Sequence, residues 1–489
     1  MRLKKSPFKS ENIKMSKIST GLEGLDEILH GGLIPSKAYL IQGGPGSGKS
    51  TFGLHFLSEA SLNDENALYI TLGESRDSIV QNSTRMDIDV SDVDFLDLSP
   101  QEDLYQNSSS YNVFSAAEVE QGPIMKAIVE AVEKHQPDRV LVDSITMLRF
   151  LNQDPFQMRK MALSFINHIT KRNATLMLIS ESVESTAEKD ATFWVDGIIE
   201  VDNSSAWRKV AVTKYRGSDY ESGPHAFKIT GRGISVYPQL RPNDYDRQFE
   251  NDVLSSGIEE MDTLLHGGIE KGTVSLIVGA TGVGKTNLGL QFLKEAASRN
   301  ERSALYTFEE SRELILSRSK MVNIPIDEMI DSGNLKIKPV EPLSYSPDEF
   351  SAMVSRDVEE NDTRMVMIDS IGGYDLAIRD ENIQERLHAL TVYLQNMGVT
   401  TFLINESQDV TGRFTATEMN ASYLADNILF LRYLEINGEV RKSIGVLKKR
   451  LSDFEKSIRE YEITSDGIKV GQPLNNMRGI LSGNPEIID

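Results

Sequence analysis

The sequence predicts an α/β protein of two tandem domains, each a mostly parallel sheet with helices on both faces. Three observations carry that expectation. Landmarks recur at a fixed distance, each repeat sets a glycine-rich turn between an apolar strand and a helical pattern, and short continuous apolar runs alternate with longer amphipathic segments. "GLEGLDEILHGGL" from Gly21 returns as "GIEEMDTLLHGGI" from Gly257, and "GGPGSGKS" from Gly43 as "GATGVGKT" from Gly279, both 236 residues later. A spacing of that size is duplication of a whole domain, not the short period of a solenoid. At 489 residues the chain also exceeds what one hydrophobic core supports.

The elements follow in order. Residues 1–17, "MRLKKSPFKSENIKMSK", are basic, lack the apolar run of a secretory signal, and read as a frayed terminus. The first domain, 18–236, opens with the strand "KAYLIQ" and the helix "STFGLHFLSEA", and continues with the strands "ALYIT", "RVLVDS" and "TLMLIS". Residues 237–254 read as a linker, from the prolines and polar residues of "YPQLRPNDYDRQFENDVLSSG". The second domain, 255–489, repeats the plan with "TVSLIV", "TNLGLQFLKEA", "SALYTF", "RMVMIDS" and "TTFLINES".

Composition narrows the function. The chain has no cysteine, which excludes disulfides, thiolate metal sites and a thiol nucleophile. Its net charge of -21, from 73 acidic and 52 basic residues, argues against nucleic-acid binding as the main task. The most basic cluster, "RKSIGVLKKR" at 441–450, reads equally well as a solvated strand edge. No stretch approaches the roughly 18 to 20 apolar residues of a membrane span, so a soluble cytoplasmic protein is expected.

Both glycine-rich turns match G-x-x-x-x-G-K-[ST] between strand and helix, the context that a phosphate-binding loop requires. The expected ATP contacts are Gly43, Gly44, Pro45, Gly46, Ser47, Gly48, Lys49, Ser50 and Thr51 in the first copy. In the second they are Gly279, Ala280, Thr281, Gly282, Val283, Gly284, Lys285, Thr286 and Asn287. Backbone N–H groups and the helix N-terminus face the phosphates, and Lys49 and Lys285 reach for the β and γ groups. Ser50 and Thr286 are expected on Mg²⁺, with the strand-end carboxylates Asp143 and Asp369 orienting it. A strand-end aspartate by itself is as readily a helix cap. Hydrolysis also needs a group that positions or deprotonates the attacking oxygen. "TFEES" offers Glu309 and Glu310, whereas the aligned "TLGES" offers Glu74 with Gly73 in the other position. Neighbouring side chains on a strand point to opposite faces, so Glu74 need not reach what Glu309 reaches.

These residues resemble the KaiC family, double-domain RecA-like ATPases. The likeness is carried by the "LHGG" opening, both P-loops, "FEES", the "DSI" strand ends and the closing "ILSGNP". The resemblance implies a homohexamer of two stacked rings with ATP between neighbouring subunits, a KaiB-like protein as partner, a slow ATPase in the first domain and an autokinase and autophosphatase in the second. It implies Glu309 as the base and makes Gly73 a departure. The family's paired phosphosites fall on Ser422 and Tyr423 and a third on Thr417, while Thr192 and Phe193 of the first domain are not expected to be modified. Its K-x-R pair, lent to the neighbouring subunit's site, falls on Lys214 with Arg216 and on Lys448 with Arg450; without the resemblance these are solvated strand ends. Clock members continue beyond the closing motif into a tail that an activator pulls on; the chain stops at Asp489, and no such activator dependence is expected.

Three functions follow from these residues. The first is an autokinase that signals through ring conformation. The second is a nucleotide-gated scaffold, favoured for the first domain by Gly73. The third is a RecA-type DNA motor, disfavoured by the charge.

Overall fold

The computed structural model describes residues 16–99, 116–145, 155–181, 192–250, 252–378, 382–407, 421–481 and 486–487. The chain divides into two compact units between Gln239 and Leu240. The first holds β1 (Ala38–Gly43), β2 (Ala67–Thr71), β3 (Val93–Asp97), β4 (Arg139–Asp143), β5 (Thr175–Glu181), β6 (Gly197–Asp202), β7 (Arg208–Tyr215), β8 (His225–Thr230) and β9 (Gly233–Tyr237). They form one sheet in the order β3-β2-β4-β5-β1-β6-β7-β8-β9. Pairing is parallel from β3 to β6 and antiparallel from β6 to β9.

In the second unit a short antiparallel pair, β10 (Val253–Leu254) and β11 (Ile269–Glu270), precedes the main sheet. That sheet comprises β12 (Val274–Gly279), β13 (Arg302–Thr307), β14 (Leu335–Pro339), β15 (Thr363–Asp369), β16 (Thr400–Glu406), β17 (Asn427–Ile436), β18 (Glu439–Lys449), β19 (Arg459–Thr464) and β20 (Gly467–Pro473). Its order, β14-β13-β15-β16-β12-β17-β18-β19-β20, repeats that of the first sheet strand for strand. Two tandem RecA-like α/β domains are the result.

Each sheet is covered on both faces, which is why its central strands read as unbroken apolar runs. Along β1, Tyr39 and Ile41 join the core beneath the helix Lys49–Ser61, while Ala38 and Leu40 join the core of the other face. In the second unit Ile277 and Leu429 belong to one core, and Leu276, Val278 and Ile428 to the opposite one.

The "LHGG" opening is a structural device in both units. Asp26 accepts hydrogen bonds from the Thr20 N–H and the Ser19 and Thr20 hydroxyls, and Asp262 does the same for Ser256 and Ser255. The second glycine of each, Gly32 and Gly268, has positive φ, and a Cβ there would lie 2.2 Å from the carbonyl oxygen of Ile18 or Leu254.

The segment that the sequence reads as a linker is fastened along the second unit. The Asn396 side chain donates to the Pro242 carbonyl (2.8 Å), the Arg247 N–H donates to the Asn396 carbonyl (2.9 Å), and Tyr245 meets Tyr393 edge-on.

Candidate functional site

The second P-loop runs from the end of β12 into the helix Lys285–Ser298. Gly282 and Gly284 hold φ of +74° and +112°, backbone that favours glycine. A Cβ on Gly284 would also lie 2.4 Å from Ile463 Cδ1. Above the loop is a cavity of about 490 Å³, within the range that holds a small ligand. Lys285, Thr286 and Asn287 line it from the loop side, Glu309, Glu310 and Arg318 from the segment after β13, Asp369 and Ser370 from the end of β15, Glu406 from β16 and Lys442 from β18.

The polar groups are arranged in pairs. Lys285 Nζ donates to the Ala280 carbonyl at 2.9 Å, and burial lowers its pKa against the opposing pull of Glu406, Asp369, Glu309 and Glu310. Thr286 Oγ1 donates to Asp369 Oδ2 at 2.6 Å. Burial pushes the Asp369 carboxyl up to about 6, the Thr286 bond works against that, and Glu310 and Glu309 add to it. The Ser370 hydroxyl donates to Glu309 Oε1 and accepts the Gly373 N–H at 3.0 Å. Glu310 Oε1 pairs with Arg318 Nη1 at 2.6 Å. The adjacent glutamates, in the bend that follows β13, thus have different partners while lining one cavity. The site therefore sets a hydroxyl next to a strand-end carboxylate, and an ammonium beside a glycine-rich turn, the donor set that suits Mg²⁺ and phosphate oxygens. Among the described residues no three His, Cys, Asp or Glu side chains cluster as a self-sufficient metal cage. Mg²⁺ shared with a nucleotide's phosphates needs none.

The first unit keeps the frame and changes the side chains. Lys49 Nζ donates to the carbonyls of Gly43 (2.9 Å) and Gly44 (2.8 Å). The Leu72 N–H donates to the Asp143 carbonyl at 2.9 Å, as the Phe308 N–H does to that of Asp369 at 2.8 Å. Both Asp–Ser peptide bonds that follow are cis. Burial raises the Asp143 pKa, while hydrogen bonds from Ser50 and Tyr69 lower it; the Tyr69 hydroxyl is 2.9 Å from Asp143 Oδ2. The residue aligned with Tyr69 in the second copy is Leu305, which has no hydroxyl to give. Glu74 accepts from Ser78 Oγ and, at 3.0 Å, from Asn82 Nδ2. Around Gly73 the place of a Cβ has no neighbour within 4 Å among the described residues.

An antiparallel hairpin clasps each P-loop through residues that the sequence reading did not single out. Tyr433 and Lys442 donate to the carbonyls of Thr281 and Gly282, both at 3.3 Å; Asn203 and Arg208 donate to those of Pro45 (3.3 Å) and Gly46 (2.7 Å). Lys442 belongs to the basic cluster read as a strand edge, and only the pairing of β17 with β18 brings it to the loop. Each hairpin carries a bulge at the same place, between Ile198 and Ile199 and between Ile428 and Leu429.

Next to the bulges lie the K-x-R residues. Lys448 Nζ donates to the carbonyls of Ser422 (3.1 Å) and Ala425 (2.6 Å), and Lys214 Nζ to that of Thr192 (2.6 Å). Arg450 pairs with Asp426 at 3.2 Å and donates to the Tyr423 carbonyl at 3.4 Å; Arg450 and Arg216 are both exposed. Ser422 is half-buried and Tyr423 exposed, its ring 5.6 Å from that of His388. Neither lines the 490 Å³ cavity of its own chain. Thr417 lies outside the described residues. Among the described residues no helix is long and apolar enough to cross a membrane.

Comparison with known proteins identifies the family. The family described as "ATPase: KaiC" matches residues 18–241 and again 254–475. The circadian clock oscillator protein KaiC of Acaryochloris marina is 28% identical over 495 residues, covering 97% of this chain and 92% of that protein. Its counterpart in Prochlorococcus marinus is 28% identical over 98% of this chain and 97% of its own length. The circadian clock protein KaiC3 of Synechocystis is 27% identical over 96% and 95%. With two copies of the family's ATPase domain, each built around its own P-loop, this chain belongs to the KaiC ATPase family.

Proposed function

We propose that the second site uses Mg·ATP to phosphorylate Ser422, working in a homohexamer of two stacked rings, and that the first site binds Mg·ATP mainly to hold the assembly. The observation that carries this reading is Glu309. Its carboxylate lines the cavity with Lys285, Thr286 and Asp369, and the first site has Gly73 in its place. In the transfer the hydroxyl oxygen of Ser422 bonds to the γ-phosphorus, the bond from that phosphorus to the β–γ bridging oxygen breaks, the proton passes to Glu309, and ADP leaves. Mg²⁺, held by Thr286 and Asp369, would offset phosphate charge. Lys285 neutralises the leaving side, and the loop N–H groups orient the chain of phosphates.

Ser422 stands apart from the cavity of its own chain, which favours acceptance from the neighbouring subunit's nucleotide. In the same arrangement Lys448 and Arg450, beside Ser422, would lend cations to that site. A phosphate on Ser422 adds a charge of roughly -1.5 to -2 next to these two cations, enough to rearrange packing at a subunit boundary.

The test is intact-mass and phosphopeptide analysis after incubation with Mg·ATP. One added phosphate that disappears in Ser422→Ala is expected; an unmodified chain, or modification that persists in Ser422→Ala, overturns the assignment. For the first site alone the scaffold reading has its own support, since Gly73 supplies no base and Tyr69 occupies one oxygen of Asp143.

A further inference from the structure

Arg318 stands on the helix Arg312–Met321, which is capped by Ser311 directly after Glu310. It lines the nucleotide cavity with Lys285, Thr286 and Asp369, and one arm of its guanidinium grips Glu310. The other two nitrogens, Nε and Nη2, are buried without a hydrogen-bond partner among the described residues, as is Glu310 Oε2. A guanidinium presents five donors in a rigid planar fork, and leaving buried donors unpaired is unfavourable unless something else accepts from them. Arg318 borders the same cavity as the phosphate-binding loop, and a turn of its side chain would bring the half-used fork to a ligand there.

The first copy has no such group. In the register that aligns Ser75 with Ser311, Arg318 corresponds to Asn82, a neutral amide bonded to Glu74. The two copies therefore differ by a pair of changes. Gly73 and Asn82 in one stand where Glu309 and Arg318 stand in the other, an added carboxylate together with an added cation. A helix anchor for the acid after the strand would be served by the amide, as Asn82 shows. The charge and the spare donors call for a further, anionic acceptor.

We propose that Arg318 reads the terminal phosphate of the nucleotide bound to its own subunit, while its grip on Glu310 leaves Glu309 as the acid that faces the reacting hydroxyl. It is carried by the same chain as the P-loop and is thus separate from Lys448 and Arg450. The assignment rests on the nucleotide-site reading above and is independent of whether Ser422 is the acceptor. A third phosphate brings extra charge and oxygens within reach of the fork, so the group should favour ATP over ADP.

The experiment is equilibrium binding of Mg·ATP and of Mg·ADP to the full chain with the first site disabled by Lys49→Ala. Arg318→Asn is expected to weaken ATP about tenfold and ADP by less than about twofold. Equal weakening of both, or of neither, overturns the proposal. Arg318→Lys retains a charge able to pair with Glu310 but not the fork, and should also lose part of the ATP preference. Should Arg318→Asn fail to fold, the lysine variant decides, and a wild-type ATP-to-ADP ratio in it makes Arg318 an anchor only. A parent protein that binds neither nucleotide overturns the site reading itself, a result distinct from binding without discrimination.

Discussion

His55 projects from the helix Lys49–Ser61, and its Nε2 accepts the backbone N–H of Ile234 at 2.9 Å. Only a neutral imidazole nitrogen can accept, so a proton on Nε2 would set donor against donor. Burial accordingly lowers the pKa from 6.5 to about 4. Between those values the unfolded chain binds the extra proton and the folded one does not. The stabilisation is therefore fully present above about pH 7, is lost as pH falls through 6.5, and is exhausted below about pH 4. The gap amounts to roughly 3 kcal/mol in all, of which about 2 kcal/mol has gone by pH 5. Both tryptophans, Trp194 and Trp207, belong to the first unit, so tryptophan fluorescence during urea unfolding follows that unit alone. The comparison is His55→Gln, because the aligned second-copy residue is Gln291 and an amide can accept from Ile234 without titrating. Between pH 7.5 and 5 the wild type should lose about 2 kcal/mol more than the variant. Parallel pH dependence of the two proteins would refute the assignment of His55 as a buried neutral acceptor.

Three further outcomes are expected. With the first site disabled by Lys49→Ala, Glu309→Gln should slow phosphate release by about 10² to 10⁴ while leaving ATP affinity within about twofold, because the amide keeps the volume and still accepts from Ser370. With the second site disabled by Lys285→Ala, Gly73→Glu should raise first-site turnover about tenfold or more, and rates equal to those of the parent would show that Glu74 alone suffices. Gly284→Ala, forced to a φ of +112° and against Ile463, should cost about 1 to 2 kcal/mol and weaken second-site ATP binding about tenfold in a filter assay, without altering the tryptophan-monitored transition of the first unit.

Much of this molecule is legible in order along the chain because duplication prints its landmarks twice. The P-loops, strand-end aspartates and "FEES" segment are local signals, and the fold brings Lys285, Thr286, Glu309, Glu310 and Asp369 to one cavity. The hairpin residues are legible only through strand pairing, which joins Lys442 to a loop 160 residues away. Arg318 was hidden by its setting, since a basic residue on a short polar helix reads as solvated until the helix is seen to back onto the site. Tyr69 was hidden among apolar strand residues, where its ring counts as core and its hydroxyl goes unremarked. The prolines of the segment 237–254, Pro238 and Pro242, flank the boundary between the two units, and the contacts of Pro242 and Arg247 with Asn396 are legible only in the fold.

The bulge in each hairpin settles a question of parity. Lys442 and Lys448 are six residues apart on β18, and a regular strand would present both on one face. The extra residue, Leu447, reverses the count: Val446 stays opposite Leu429 on the face of the P-loop helix, while Lys448 comes opposite Ile428 on the other. Arg208 and Lys214 on β7 are separated by the same interval and the same irregularity, with Thr213 as the added residue. With Leu447 left out of the ladder, a single strand holds its own P-loop with one cation and the segment bearing Ser422 with the next, on opposite sides of the sheet and about 20 Å apart. Deleting Leu447 would make the strand regular and leave the two lysines an odd number of residues apart, still on opposite faces, whereas closing the irregularity with all residues kept would put both on the same side.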